Sequence, residues 1–348
     1  MNDMRLKASL ALGGIGIGVA AASVLFRRNP YSFIGKTVLI TGGSRGLGLA
    51  LAREFGRLGC RVAICARDEQ ELEEASRSIA TEETEVLTVV CDVTDPASVH
   101  RLVDTVRSGF GQIDILVNNA GIISVAPVEN TTVTDFERAM AVMFWGVLYP
   151  TFAVLPEMKA RGEGRIATIT SIGGKISVPH LLPYSCAKFA AVAFSEGLRA
   201  EMAKYGVKVT TIAPGLMRTG SHLKAEFKGR HEDEATWFSL SATSPLVAMN
   251  ARRAARQIVT AIQRGKSEKI LSTQASMMAR LNAACPGLVS NLLGIVNRIL
   301  PSPTDDRESM ITGEEAIGTG NRWLQTAATL GHGAAKQFNQ LTSRRAAT

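Results

Sequence analysis

The chain has 348 residues, 46% apolar and 20% charged, with 32 Gly and 12 Pro. That is enough to bury a large core, and it excludes a disordered, collagen-like or disulfide-stapled protein. Cys60, Cys65, Cys91, Cys186 and Cys285 form no CxxC pair, so neither a metal site nor a disulfide framework follows and a reducing compartment fits. The net charge of +8 divides into +3 in residues 1–30, zero in 304–348 and +5 in the middle, with no Lys/Arg run longer than two. Nucleic-acid binders concentrate basic charge on one stripe, so nucleic acid is not expected as a partner.

Between Lys7 and Arg27 lie 19 residues without a charge, which as a helix would span roughly 28 Å, close to the hydrocarbon thickness of a bilayer. Residues 8–26 read as a single-pass membrane anchor, with a loosely attached helix, an unstructured leader and a cleaved signal peptide as the competing readings. Gly14 and Gly18 form a GxxxG spacing that lets two such helices approach closely. Positive residues flank both sides, so charge gives no orientation.

From Gly35 to about Leu271, short β-branched runs alternate with longer helical patterns. The runs are Thr37–Thr41, Val62–Ala66, Val86–Cys91, Ile113–Val117, Ile166–Thr170, Val207–Ile212 and Ile270–Leu271. Uninterrupted apolar strands between helices predict a parallel sheet buried on both faces. Right-handed crossovers then give a doubly wound α/β domain of about seven strands. The expected organisation is an apolar segment at 1–30, this catalytic domain at 31–273, a helical extension at 274–303 and a partly helical tail at 304–348. The extension is broken by Pro286-Gly287 and ended by Pro301 and Pro303. Its apolar helices are expected to pack on the core or a partner subunit, with membrane contact as the other reading. The tail predicts one helix around Asn321–Leu330.

The first strand runs directly into Thr41-Gly42-Gly43-Ser44-Arg45-Gly46-Leu47-Gly48, followed by an amphipathic helix. Glycines at such a turn let the backbone approach a diphosphate seated at the helix N-terminus. The TGxxxGxG spacing resembles that of the short-chain dehydrogenase/reductase family. Four further motifs follow in the family's order: Asp92-Val93, Asn118-Asn119-Ala120-Gly121, Tyr184-Ser185-Cys186-Ala187-Lys188 with Ser171 upstream, and Pro214-Gly215-Leu216-Met217-Arg218-Thr219. The resemblance covers roughly residues 35–272. It implies that Asp92 and Val93 meet the adenine, that Asn119, Ala120 and Gly121 edge the cofactor cleft, and that Pro214, Gly215 and Thr219 meet the nicotinamide carboxamide. It also implies that Lys188 holds the nicotinamide ribose, and that subunits associate through the helix carrying YxxxK as a homo-oligomer.

Tyr184 and Lys188, four apart, share one face of a helix. A nearby ammonium lowers a phenol pKa from about 10, so Lys188 is expected to ready Tyr184 for proton exchange with a carbonyl or alcohol oxygen. Ser171 is expected to hydrogen-bond that oxygen. One position departs from the family's pattern: Met143 stands where an Asn of the catalytic tetrad is expected. Met is at best a weak acceptor, so another group or solvent must carry the proton, the local helix is shifted, or activity is reduced.

After the second strand, Ala66 occupies the position where an NAD-selective protein carries an acid. Arg67 and Arg45 are instead placed to meet a 2′-phosphate, which selects NADP(H). Substrate selection is expected after Thr219, where His222, Phe227, Trp237 and Phe238 fall in a lid, with His180, Leu181 and Leu182 as further candidates for the wall. His180 reads equally as a structural residue. An aromatic pocket beside an anchor suggests a small-molecule carbonyl or alcohol of lipophilic character, handled by a cytoplasmic catalytic domain. The competing functions are a non-catalytic NADP(H)-binding sensor or scaffold, favoured by Met143, and a nucleotide-sugar epimerase or dehydratase, disfavoured by the TGxxxGxG spacing.

Overall fold

The computed structural model describes residues 30–80, 84–245, 247–319 and 331–341. The apolar segment 8–26 and the helix expected around 321–330 lie outside the described residues. Chain contacts separate residues 1–32 from a second unit, 33–348, and the account below concerns the second.

Seven strands form its central sheet: β1 Thr37–Thr41, β2 Arg61–Ala66, β3 Val86–Val90, β4 Ile115–Asn118, β5 Gly164–Ile169, β6 Val207–Ala213 and β7 Glu268–Ile270. They lie in the order β7-β6-β5-β4-β1-β2-β3, and every pairing is parallel. The expected doubly wound α/β sheet is therefore present. All residues of β1 and β4 are buried, as uninterrupted apolar runs require when helices cover both faces. The helices following the first three strands are α1 Gly46–Arg57, α2 Glu69–Ile79 and α3 Pro96–Phe110. Asp68 and Asp95 cap the last two by accepting from first-turn amides.

After β4, α4 Val133–Met140 continues through a π-helical turn, Ala141–Trp145, into α5 Gly146–Arg161. This continuous helix, Val133–Arg161, is long and apolar enough to cross a membrane by length and composition, with mean hydropathy 1.6. Its buried residues Val154 and Met158 nevertheless pack on the sheet, and Pro150 and Pro156 lie within it. The helix α6 Leu182–Met202 packs beside it. Trp145, Phe152 and Phe189 remain exposed along this pair.

Two small sheets and the helix α7 His231–Thr243 build a roof beyond the carboxyl ends of the strands. In one of them, Glu226–Lys228 pairs with Ser124–Val125 on one side and Met310–Thr312 on the other. The helix α8 Ala251–Gln263 then packs on α1. Past β7, α9 Thr273–Ala284 and α10 Pro286–Asn297 bury only Ala275 and Val289. Met277, Leu288, Leu292, Ile295 and the following Ile299 face outward. These helices thus pack on the core far less than their apolar spacing leads one to expect.

Strand order reverses between β1 and β4, and in open α/β sheets the ligand crevice opens at that reversal. Here it is fastened. The buried Thr41 Oγ1 accepts from the Asn119 and Ala120 amides at 3.0 and 3.1 Å, while Asn119 Nδ2 donates to the Thr41 and Gly42 carbonyls at 3.0 Å each. Thr41→Val keeps the shape but strands two amides, so it should cost about 2 kcal/mol, measured by urea denaturation.

Candidate active site

A cleft of about 950 Å³ opens above the reversal. All the residues selected from the sequence for catalysis and cofactor binding line it: Gly42, Ser44, Arg45, Gly46, Leu47, Gly48, Arg67, Asp92, Val93, Asn119, Ala120, Gly121, Ser171, Tyr184, Lys188, Pro214, Gly215 and Thr219. The glycine loop forms one end. A Cβ on Gly48 would fall 2.0 Å from the Gly42 carbonyl oxygen, so only glycine lets α1 start directly against the loop. No side chain caps α1 and its first turn has no acid, which suits an anion at that helix end.

The side chains of this nucleotide end are arranged differently from expectation. The Arg45 guanidinium pairs with Glu71 at 2.8 Å, and the Ser44 hydroxyl donates to the same carboxylate at 3.1 Å. Arg45 is therefore occupied rather than free to meet a 2′-phosphate. Arg67 is exposed at the end of β2 and makes no ion pair among the described residues. Glu71 was not selected from the sequence; its place one turn into α2, opposite the glycine loop, is a tertiary fact. Asp92 is held by its own turn, its Oδ1 accepting from the Thr94 amide and hydroxyl at 2.9 and 2.8 Å. The Asn119 side chain is spent on the bracket described above. Cys65 and Cys91 also line this end, their thiols hydrogen-bonded to one another.

At the other end, Ser171 follows β5 in extended conformation and accepts from the Gly173 amide at 3.0 Å. The loop turns closely against α6: a Cβ on Gly173 would come 3.0 Å from the Tyr184 ring, and one on Gly174 2.7 Å from the Lys188 carbonyl oxygen. Ser171 hydrogen-bonds Tyr184. Lys188 is buried, donates from Nζ to the Ile169 carbonyl at 2.9 Å and lies 5.7 Å from the Tyr184 ring centroid.

The charge logic corrects the sequence reading. Burial pushes the Tyr184 phenol above its ordinary value, with the Ser171 hydrogen bond opposing. Burial pushes the Lys188 ammonium down to about 8. Lys188 does not draw Tyr184 down in this state; both groups are held toward neutrality by the same apolar surroundings.

Met143 is buried on the π-helical turn. A Cβ on Gly121 would lie 3.7 Å from both Met143 Sδ and Lys188 Nζ, so the thioether borders the lysine pocket without offering it a strong acceptor.

Trp237, Phe238 and Leu181 line the cleft, whereas His180, Leu182, His222 and Phe227 do not. His180, at φ +61, pairs through Nδ1 with the fully buried Glu234 at 2.8 Å. Glu234 also accepts from the Trp237 indole at 2.7 Å. His180 thus holds the lid rather than lining it. His222 is buried, and burial pushes it down to about 4. Under α10 lies a second cavity of about 760 Å³, and Val178 borders both.

Residues 36–228 match the family model for short chain dehydrogenases. The chain is similar to "Dehydrogenase/reductase SDR family protein 7-like" of Anopheles gambiae, at 42% identity over 57% of this chain and 64% of that one. The protein of the same name in Drosophila melanogaster is 35% identical over 73% of this chain and 78% of its own length. Among solved structures, a tryptophan variant of actinorhodin polyketide ketoreductase with NADPH superimposes with a TM-score of 0.61 and 28% identity. That match covers 68% of this chain and 95% of that one.

Between pH 8 and 10.5 the unfolded chain keeps a proton on this lysine that the folded protein has given up. Stability should therefore rise with pH across that window, by up to about 3 kcal/mol. In Lys188→Met that rise should vanish; urea denaturation of both proteins at pH 7.5 and 10 measures the difference.

Proposed function

The chain belongs to the short-chain dehydrogenase/reductase family, and from that premise we propose that it is an NADP(H)-dependent oxidoreductase acting on a lipophilic carbonyl or alcohol. The observation that carries the reading is the convergence of Ser171, Tyr184 and Lys188 on one wall of a cleft whose far end is an uncapped helix behind a glycine loop. These residues fit a dinucleotide: the loop leaves no room for a Cβ at Gly48, and the helix end supplies amides for a diphosphate. Gly42, Ser44, Leu47 and Gly48 would hold the diphosphate half, with Gly46 shaping the loop between them, and Asp92, Val93 and Ala120 the adenosine half. Gly121, Lys188, Pro214, Gly215 and Thr219 would hold the nicotinamide half. When bound, the nicotinamide supplies or takes up the hydride.

The chain's own residues then manage the proton. Tyr184 gives it to a carbonyl oxygen, or removes it from an alcohol, while Ser171 donates a hydrogen bond to the same oxygen. Lys188, already fixed by the Ile169 carbonyl, orients the cofactor ribose and supplies the positive charge that stabilises phenolate. With Met143 in the tetrad position, solvent in the cleft completes the proton path. The competing reading, a non-catalytic NADP(H) sensor, draws on that same Met143. Tyr184→Phe separates the two: carbonyl-dependent NADPH oxidation should fall 10²–10⁴-fold, on the order expected for loss of a general acid, with NADPH affinity retained. Failure of the wild-type protein to oxidise NADPH with any lipophilic ketone in a broad panel would favour the sensor.

NADP(H) is favoured because Arg67 is a cation with no ion pair among the described residues, and because the nearby carboxylate of Glu71 is neutralised by Arg45. Arg67→Asp should weaken NADPH binding tenfold or more, by about the 1.5–3 kcal/mol of a charged hydrogen bond, and leave NADH unaffected or improved. Equal losses for both cofactors would overturn the assignment. The lipophilic substrate is inferred from the apolar lining at the catalytic end, including Ile123, Leu181, Leu216, Trp237 and Phe238. The exposed aromatic strip of Trp145, Phe152 and Phe189 on α5 and α6 suits a homo-oligomer contact at the helix carrying YxxxK.

Residues 8–26 would anchor the cytoplasmic catalytic domain to a membrane. In cell fractionation the full chain should sediment with membranes and a chain lacking residues 1–28 should be released. Equal distribution of the two would refute the anchor.

A further inference from the structure

One part of the cleft wall comes from far along the chain. Residues 331–337 are helical, and the segment through 341 crosses the glycine loop as a strap. The Gly46 amide, in the middle of TGxxxGxG, donates to the Phe338 carbonyl at 2.8 Å. Arg53 Nη1 donates to the Gln337 carbonyl at 2.9 Å, and Asn339 Nδ2 to the Ser44 and Glu71 carbonyls at 3.3 Å each. Ala335 and Phe338 are buried. Two positive-φ glycines give the strap its seat: a Cβ on Gly220 would lie 2.7 Å from Ala335 Cα, and one on Gly46 2.7 Å from Gln340 Nε2.

Gln340 is the residue this seating delivers. It is 4% exposed and lines the cleft, between the glycine loop and Thr219. Its Oε1 is buried with no hydrogen-bond partner among the described residues. A buried amide oxygen left unpaired is unfavourable, and a cleft of about 950 Å³ remains open with the strap in place. The strap therefore walls the site without filling it, and Gln340 stands in that wall with an acceptor left unpaired among the described residues.

We propose that residues 331–341 are the third wall of the dinucleotide site, and that Gln340 is a cofactor-binding residue at the diphosphate–ribose stretch. Its amide NH₂ suits a diphosphate oxygen and its Oε1 suits a ribose hydroxyl. Because the strap covers the glycine loop, it must lift for the cofactor to enter or leave, and seated it slows release. The proposal rests on the dinucleotide reading above and not on the preference for NADP(H).

The test uses the full chain with Gln340→Ala, and separately Ala335→Glu, whose side chain cannot be seated against Gly220. NADPH, NADH and 2′-AMP, which lacks the diphosphate, are titrated calorimetrically, and NADPH release is followed by stopped-flow fluorescence. For both dinucleotides, Kd and release rate should rise about tenfold or more, the loss expected for a charged hydrogen bond, with 2′-AMP binding unchanged. In the wild-type protein, hydrogen exchange across residues 331–341 should slow when NADPH is added. Unchanged dinucleotide affinity in Gln340→Ala, tighter binding in Ala335→Glu, or faster exchange on adding NADPH would each overturn the proposal, the last two marking the strap as a competitor. A wild-type protein that binds neither dinucleotide would instead remove the underlying functional reading.

Discussion

The reciprocal bracket between Thr41 and Asn119 is the constraint on which the rest of the site depends. A parallel sheet buried on both faces has no room for polar chemistry along its strands, so ligand-binding groups are confined to the strand ends. There, two adjacent strands leave in opposite directions, and nothing in the ladder itself holds their loops apart. The Thr41 hydroxyl and the Asn119 amide do so by satisfying backbone groups of both loops at once. The glycine loop on one side and Gly121 on the other inherit their positions from that contact.

The two ends of the cleft solve different electrostatic problems. The nucleotide end carries both signs of charge, with one arginine consumed by Glu71 and another left facing solvent. The catalytic end is enclosed by apolar side chains, and its phenol and ammonium are both displaced toward their neutral forms. Such surroundings strengthen every hydrogen bond that forms within them, so Ser171 and Tyr184 are fixed relative to one another before substrate arrives. Met143 fits this environment: a buried thioether costs little where a second amide would need partners.

Much of this was legible in the sequence because it is local. Short apolar runs flanked by helical periods dictate a parallel sheet, and strand-end motifs dictate where a cleft must lie. The last strand was placed at Ile270–Leu271 and is found at Glu268–Ile270, since an edge strand has charged residues that mask its pattern. What could not be read was pairing across the chain. Arg45 appeared free because Glu71 reaches it only after α2 folds back over the loop. Four-residue spacing gives the proximity of Tyr184 to Lys188 but not the burial that outweighs it. His180 reads two ways in the sequence because its partner Glu234, on α7, is remote along the chain. Gln340 carried no local signal at all.

The contact between the glycine loop and the strap also bears on how the protein is made. Asn339 and Ser44 are 295 positions apart, and contacts of such separation close late because the intervening loop entropy must be overcome first. During synthesis the sheet and the loop can assemble while their covering segment is still untranslated. The nascent protein therefore passes through a stage with a formed but uncovered nucleotide groove, in which Gly46 lacks its carbonyl partner and Phe338 has yet to bury its ring. Termination in that interval would release a chain with most of its core intact and the groove beside its glycine loop left open along one side.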